Sequence, residues 1–186
     1  MRIIAGEFRG RPLASLGKGD TAAHLRPTTD RTRESLFSVL QGGRFGDPIP
    51  QARVLDLFAG TGALGLEALS RGADCACFVE NGRKAQGLIA KNIQTLGVGD
   101  RAQLVRRDAT RLGPNPQSPF GLVFLDPPYG KGLGEKALAA ARAGGWVASG
   151  ALIVWEEGAD ITLPDWGVLQ DQRNYGDTLI TLIRAA

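Results

Sequence analysis

The chain is poor in the side chains that most often bind metals or form cross-links. Its 186 residues include two cysteines, Cys75 and Cys77, and one histidine, His24. The cysteines alternate within DCACFVE, so on a strand they share one face, and a tetrahedral metal site would need two more ligands. We therefore expect two reduced thiols in or near the core and no metal site.

Long apolar runs are also missing. No segment approaches the roughly 20 apolar residues that span a membrane, and the opening MRIIAGEFRGRPL lacks the apolar core of a signal peptide. Hydrophobic residues make up 43% of the chain and charged residues 22%, as in ordinary globular domains. These features predict a cytoplasmic protein with one full core and no membrane partner, and nothing in them calls for more than a monomer.

Positive charge is unevenly distributed along the chain. Residues 1–33 contain seven Lys and Arg against three Asp and Glu, whereas the remainder contains 15 basic and 16 acidic residues. Such asymmetry is typical of a segment that binds a polyanion. A solvated basic surface without a partner is the alternative.

The N-terminal third reads as two units. Residues 1–25 are short, basic and glycine-rich, which predicts a small hairpin or arm followed by a loop. RPTTDRTRESLFSVL predicts a leading helix within 26–42, capped by Thr28 or Thr29. We therefore divide the chain into an arm and a main domain that covers 26–186.

Predicted strands and helices alternate from residue 53 onward. The strands are 53–58, 75–80, 102–107, 120–125 and 151–156, and the helices are 62–71, 83–96 and 133–143. Two further strands, 168–173 and 178–184, form a hairpin. Repeated βαβ units predict a mostly parallel α/β sheet with right-handed crossovers, and the hairpin adds an antiparallel strand at or near its edge.

The first strand runs into a glycine-rich turn. VLDLFAGTGALGLEAL contains G-x-G-x-x-G at residues 60–65, which is typical of dinucleotide-binding turns. Glu80 ends the second strand, where a carboxylate can accept both ribose hydroxyls of an adenosine. On this evidence NAD and S-adenosylmethionine fit equally well.

Two acids near this turn favour S-adenosylmethionine. Asp56 precedes the turn, where it would repel a pyrophosphate but could hold a methionine ammonium group indirectly. Asp108 and Ala109 follow the third strand, where an acid can accept from an adenine amino group. The structural alternatives are that Asp56 caps the next helix, that Asp108 starts a turn, and that Glu80 is a surface acid.

The fourth predicted strand ends in Asp126-Pro127-Pro128-Tyr129. Two prolines fix their φ angles and donate no backbone hydrogen bond, so the carbonyls of Asp126 and Pro127 can face a cleft as acceptors. Beside the flat ring of Tyr129, they suit the exocyclic amine of a flipped-out base and would align it for in-line methyl transfer. A purely structural Pro-Pro turn is the alternative.

These segments resemble one known family. The chain resembles the bacterial 16S ribosomal RNA guanine-N2 methyltransferases of the RsmD type. The resemblance is carried by MRIIAGEFRGRPL, RPTTDRTRESLFSVL, VLDLFAGTGALGLEALSRGA, FVE and LDPPYG. The resemblance runs from the first residues to the final hairpin. The first and last segments discriminate, because DLFAGTG with DPPY also occurs in other amino-methyltransferases, including those that act on adenine N6 in DNA.

The resemblance implies a Rossmann-like class I methyltransferase fold with a seven-stranded sheet, S-adenosylmethionine as methyl donor, and 16S rRNA or a small-subunit assembly particle as partner. It implies cofactor binding by Asp56, Phe58, Ala59, Gly60, Gly62, Glu80, Asp108 and Ala109, and catalysis by Asp126, Pro127, Pro128 and Tyr129. The expected RNA-binding residues are Arg9, Arg11, Arg26, Arg31 and Arg33, which would contact phosphates. The chain departs from the family at Asn81-Gly82, where a second acid is frequent.

Three other functions compete with this interpretation. A DNA adenine-N6 methyltransferase would share the chemistry, but the sequence shows no obvious target-recognition domain. An NAD-dependent oxidoreductase would need a catalytic His, Lys or Tyr-x-x-x-Lys pattern that is not suitably placed. A non-catalytic RNA-binding protein is disfavoured by the intact Asp-Pro-Pro-Tyr.

Overall fold

A seven-stranded sheet organises the chain in the computed structural model, which describes residues 1–15 and 30–186. In chain order the elements are α1 (Asp30–Gln41), β1 (Arg53–Leu57), α2 (Ala63–Ser70), β2 (Cys75–Val79), α3 (Arg83–Leu96), β3 (Ala102–Val105), a 3-10 turn (Ala109–Arg111), β4 (Phe120–Leu125), α4 (Leu133–Ala143), β5 (Val147–Glu157), β6 (Gly167–Tyr175) and β7 (Thr178–Ala185). The strand order is β3-β2-β1-β4-β5-β7-β6.

The sheet confirms the predicted α/β class. Strands β1 to β5 are parallel to their neighbours, and β7 pairs antiparallel with both β5 and β6. The predicted hairpin therefore closes the sheet, with β7 inserted beside β5 and β6 at the edge. The order reverses between β1 and β4, and in open α/β sheets this switch point is where ligands bind.

Two apolar cores cover the two faces of the sheet. One contains side chains of α1, α2 and α3, including Phe37, whose ring centroid lies 5.7 Å from that of Phe124. The other packs α4 and the 3-10 turn against the sheet, and Phe120 stacks on Trp146 with centroids 6.1 Å apart. Among the described residues, no helix combines the length and apolar character needed to cross a membrane.

Some boundaries differ from the predicted ones for local reasons. β5 begins at Val147 rather than at residue 151, and the β4–β5 pairing changes register between Phe120 and Leu122. The irregular start of β5 places Gly150, with φ of +73°, inside the strand. This interruption hides the apolar-polar alternation by which the first residues of β5 could be recognised in the sequence. β3 ends at Val105 because the Arg107 N–H turns back to the Val105 carbonyl, at 3.0 Å.

The two cysteines lie where their alternation predicts. Cys77 is buried in the core on the α4 side, and Cys75 is half-buried at the start of β2; both are free thiols. Burial raises the pKa of Cys77 to about 12, which disfavours the reactive thiolate.

Residues 1–15 pack onto the domain with little regular structure. The hairpin predicted for the N-terminal arm is reduced to one antiparallel bridge, between Arg2 and Pro12. Ile3 and Leu13 are buried in the core that α1, α2 and α3 form. The predicted caps Thr28 and Thr29 lie outside the described residues.

Arg33 is the main correction to the predicted RNA contacts. Its side chain is 0% exposed, so it cannot reach a phosphate. One guanidinium nitrogen, Nη2, donates to the Arg2 carbonyl and to Asp30 Oδ1, and Nε lies 3.9 Å from Glu67 Oε2. Burial lowers the pKa of Arg33, and the charges of Glu67 and Asp30 oppose that shift. Arg33 therefore belongs to a buried ion network.

Glu67 ties the same network to the N-terminal segment. Its carboxylate is 0% exposed and accepts the N–H groups of Ile4 and Ala5, at 2.8 and 3.0 Å, and Arg71 Nε at 2.8 Å. A carboxylate at this position on α2 thus fixes α1, through Arg33, and the first residues of the chain.

We predict that Glu67→Gln destabilises the fold by about 3 kcal/mol, because it removes the buried counter-charge of Arg33 and leaves only the partly exposed Asp30 to balance it. Urea unfolding measures the loss. Glu34→Gln on the exposed side of α1 is the matched control and should change stability by less than about 0.5 kcal/mol. Equal unfolding midpoints for the two variants would contradict the assigned role of the network.

Candidate active site

The candidate site lies at the switch point of the sheet. β1 and β4 pair in parallel up to Leu57 and Leu125, so the residues that follow, Phe58 and Asp126, leave the sheet side by side. The Asp126 N–H donates to the Leu57 carbonyl at 3.3 Å. α2 and α4 then diverge to opposite faces, which opens a crevice between the two chain exits.

The turn after β1 is tightly wound. Phe58 has φ of +58°, which is unusual for a residue with a side chain, and Gly60 and Gly62 also have positive φ. The Ala59 N–H donates to the Val79 carbonyl at 3.1 Å, and the Gly62 N–H donates to the Ala59 carbonyl at 2.7 Å. Strained backbone of this kind is concentrated at functional sites, where the surroundings hold it in place.

Glu80 braces this turn from the end of β2. Its Oε2 accepts the Gly60 N–H at 2.9 Å, and its Oε1 accepts the Gly82 N–H at 2.7 Å. The side chain is nearly buried, so the surface-acid alternative does not describe it. Each carboxylate oxygen has a second lone pair, so Glu80 can still accept hydrogen bonds from a ligand.

Asp56 lies beneath the turn and is 1% exposed. Its Oδ2 accepts the Gly65 N–H, in the first turn of α2, at 3.0 Å, which is the contact that the helix-capping alternative requires. Burial raises the pKa of Asp56 to about 8; Glu80 adds to the shift and the Gly65 bond opposes it. A Cβ at residue 65 would lie 2.4 Å from Phe78 Cε1, so this glycine allows α2 to approach the sheet.

Asp108 follows β3 at the same edge of the sheet. Its Oδ1 accepts both the backbone N–H and the hydroxyl of Thr110, at 2.9 and 2.8 Å, and so starts the 3-10 turn in which Ala109 is buried. The structural alternative for Asp108 therefore describes its contacts. Both bonds fall on one oxygen of the carboxylate.

Asp126 presents the open acceptors of the site. It is half-buried, and within the described part of the chain no residue donates to its carboxylate or to the carbonyls of Asp126 and Pro127. Burial raises the pKa of Asp126 well above its usual range, and the charges of Glu156, Asp56 and Glu157 add to the shift. Pro127 itself is buried, and these acceptor atoms, which no described residue uses, keep their hydrogen-bonding capacity for a ligand.

Tyr129 is held by the strands next to β4. Its hydroxyl donates to Glu156 Oε1 at 2.7 Å and lies 3.1 Å from Thr178 Oγ1. Burial is the main reason that the pKa of Tyr129 is raised. The ring is thus fixed in orientation, as a stacking platform requires.

Glu156 and Glu157 are site residues that the sequence analysis missed. Glu157 Oε1 accepts the N–H groups of Gly130 and Gly158, at 3.1 and 2.8 Å, and so fastens the loop after Tyr129 to the end of β5. Their signal was present: WEEG places two acids at the end of a predicted buried strand, as with Glu80 and Asp108.

No set of three or more His, Cys, Asp or Glu side chains in residues 1–15 and 30–186 is placed to hold a metal ion.

The remaining predicted RNA contacts are not gathered at the crevice. Arg9, Arg11 and Arg31 are exposed, and Arg26 lies outside the described residues. The turn that carries Arg9 rests on Ser70 at the C-terminal end of α2, where the Glu7 N–H donates to the Ser70 carbonyl at 2.7 Å. This turn therefore lies near the amino-terminal ends of the strands, at the opposite end of the sheet from Asp126.

Comparison with known proteins identifies the family. A family model described as conserved hypothetical protein 95 matches residues 1–184. Ribosomal RNA small subunit methyltransferase D of Escherichia coli K12 is 41% identical over 164 residues, which cover 88% of this chain and 78% of the relative. The chain belongs to the ribosomal RNA small subunit methyltransferase D family. The relative of that name in Haemophilus influenzae is 37% identical over 178 residues, which are 92% of this chain and 88% of the relative.

Solved structures of similar chains share the family fold. A structure described as a putative methyltransferase, yhhF, from Escherichia coli superposes with a TM-score of 0.82 at 38% identity and covers 100% of this chain and 97% of that one. A putative methylase from Haemophilus influenzae gives 0.79 at 33% identity, with 99% and 97% covered. The expected class I methyltransferase fold is therefore confirmed.

We predict that Asp56 makes the ligand-free protein less stable as pH rises from about 4 to about 8. The pKa of Asp56 is about 8 when folded and 3.8 ordinarily, so across this range the folded state keeps a proton that the unfolded state has lost. Asp56→Asn should make the fall in unfolding free energy shallower, as measured by urea unfolding at several pH values. Asp160→Asn, an exposed acid, should leave the slope unchanged, and equal slopes for all three proteins would contradict the prediction.

Proposed function

We propose that this protein transfers a methyl group from S-adenosylmethionine to the exocyclic N2 amine of a guanine in 16S rRNA. The observation that carries the proposal is the open acceptor set of Asp126 and Pro127 beside the strained turn after β1. Family membership supports the chemistry, and the names of the relatives in Escherichia coli and Haemophilus influenzae support small-subunit rRNA as substrate. The N2 position rests on the resemblance of the sequence motifs.

The residues around the turn fit the donor. Glu80 keeps acceptor capacity for the ribose hydroxyls and Asp108 keeps a carboxylate oxygen for the adenine amine, while Asp56 carries the turn over which the methionine portion would lie. The remaining contacts would come from the backbone at Phe58, Ala59, Gly60, Gly62 and Ala109. When bound, the donor supplies an electrophilic methyl group on a positively charged sulfonium.

The charge of the crevice separates this donor from NAD. Four carboxyl groups lie close together at the crevice, those of Asp56, Asp126, Glu156 and Glu157; burial raises the pKa of Asp126, and the charges of the other three add to the shift. A cationic sulfonium and a developing ammonium would stabilise the ionised form of these groups, whereas a pyrophosphate would be repelled by it. The oxidoreductase alternative is disfavoured on this ground.

Asp126 and Pro127 would orient and then deprotonate the amine. An Asp126 oxygen and the Pro127 carbonyl accept its two N–H groups, which turns the nitrogen lone pair toward the methyl carbon. The N–C bond forms as the C–S bond breaks, and positive charge moves to nitrogen beside the carboxyl groups. The excess proton then passes to the Asp126 carboxylate, whose raised pKa suits a proton acceptor.

Tyr129 and its supports would hold the base in place. Stacking of a base on an aromatic ring contributes on the order of 1–3 kcal/mol. The hydroxyl bonds of Tyr129 to Glu156 and Thr178, and the two bonds accepted by Glu157, keep the loop from shifting. Alignment of this kind is a large part of what an enzyme adds to a two-substrate transfer.

A methyl-transfer assay tests the proposed function. The protein is incubated with labelled S-adenosylmethionine and either naked 16S rRNA or small-subunit particles that lack the modification, and the RNA is then digested to nucleosides. We expect label in N2-methylguanosine. In a parallel reaction with DNA, label in N6-methyl-2′-deoxyadenosine, with none in the RNA, would refute the assignment, and so would binding of NADH but not S-adenosylhomocysteine by calorimetry.

We predict that Asp126→Asn lowers kcat by roughly 10²-fold or more, because the amide accepts a hydrogen bond but not the proton. Affinity for S-adenosylhomocysteine should stay within about threefold, since Asp126 is not among the residues that hold the donor. Asp100→Asn is the control and should keep full activity, because Asp100 lies just before β3, at the other end of the strands from the site. A fully active Asp126→Asn would show that the amine is held elsewhere.

A further inference from the structure

A second basic segment lies far from the N-terminus in sequence. Residues 83–111 contain seven Lys and Arg against two Asp and Glu. The nearly neutral balance of the chain beyond residue 33 conceals it, because the other segments there are acidic. This segment comprises α3, β3 and the 3-10 turn.

Helix α3 carries this charge in a pattern that helix stability does not explain. Its sequence RKAQGLIAKNIQTL has three basic residues and no acid, so no oppositely charged pair forms within it. Arg83 and Lys84 occupy its first turn, where the helix dipole disfavours cations. Arg83 and Lys91 are both exposed. A purely solvating face would mix both signs of charge, so the pattern indicates a polyanionic partner.

The structure joins α3 to the first basic segment. Asn92 is 0% exposed; its Oδ1 accepts the Ala14 N–H at 2.7 Å, and its Nδ2 donates to the Ala14 and Thr61 carbonyls at 3.1 and 2.9 Å. Next to the start of β3, Arg101 Nη2 lies 3.1 Å from Glu7 Oε2. Ala14 therefore lies against α3 and Glu7 lies beside the start of β3, so the exposed Arg9 and Arg11, which come between them in sequence, belong to the same side of the molecule.

The same surface reaches the carboxyl ends of the strands, where the candidate site lies. Arg106 is exposed directly after β3, and Arg83 begins the helix that follows β2. Asp126 follows β4, which is three strands from β3, a separation of about 14 Å at the usual strand spacing. α3 itself is about 21 Å long. A nucleic-acid strand that lies along α3 can therefore continue over the carboxyl ends of the strands to Asp126.

We propose that Arg9, Arg11, Arg83, Lys91 and Arg106, here called the basic surface, bind backbone phosphates of the RNA whose base enters the crevice. This inference rests on the proposed function. The basic surface supplies affinity and the direction of approach, whereas the acidic crevice holds the base and the donor. Side chains from both basic segments contribute, so neither segment alone accounts for RNA affinity.

The test is the salt dependence of RNA binding by a triple variant, Arg83→Gln, Lys91→Gln and Arg106→Gln. Each lost phosphate contact on single-stranded RNA lowers the slope of log K against log salt by about 0.7. We expect the slope to flatten by about 2, the Kd for 16S rRNA to rise at least about tenfold at physiological salt, and KM for RNA to rise with kcat nearly unchanged. The three single variants should each show a smaller part of the effect, which keeps the test valid if the triple variant fails to fold.

Arg173→Gln is the matched control for Arg106→Gln. It removes the same charge from an exposed arginine on β6, the opposite edge strand of the sheet, and should change neither Kd nor slope. If the basic-surface variants match this control while wild type methylates rRNA, the basic surface is refuted and the proposed function stands. A loss of S-adenosylhomocysteine affinity in the single variants would also refute it. If wild type methylates neither rRNA nor the particle, both proposals fail.

Discussion

The parallel pairing of β1 with β4 is the constraint on which the candidate site depends. The two strands run side by side up to Leu57 and Leu125, and their helices then leave to opposite faces of the sheet. This divergence brings a turn built for close backbone approach next to the rigid Asp126-Pro127 exit. Any change in that pairing register would separate the two halves of the site.

Acidic and basic side chains occupy different places around the candidate site. Buried and half-buried acids converge at the carboxyl ends of β1, β4 and β5, where burial raises the pKa of Asp56 and Asp126 and neighbouring acids add to the shift. Exposed basic side chains lie on α3 and after β3. The acidic interior suits a cationic donor and the basic exterior suits a polyanion. The modest net charge of +3 therefore conceals an uneven distribution of acidic and basic side chains.

Several site residues have a structural contact in addition to their proposed contact with a ligand. Asp56 accepts from the first turn of α2, Glu80 accepts from the glycine turn, and Asp108 starts the 3-10 turn. From the sequence alone, these structural contacts stand as alternatives to ligand binding. The two are compatible, because a carboxylate has more acceptor positions than one backbone N–H uses. A carboxylate that is already held in place is also better oriented toward a ligand.

The sequence by itself determined the βαβ order, the glycine turn and the acids at strand ends, because these follow from local periodicity and from the conformational limits of glycine and proline. α3, β4 and α4 have their predicted bounds for the same reason. Only the tertiary structure decided the environment of each charge. It buried Arg33 with Glu67, brought Glu156 and Glu157 against the loop after Asp126, and placed Ala14 against α3. Burial and ion pairing depend on residues far apart in the chain, and no local pattern specifies them.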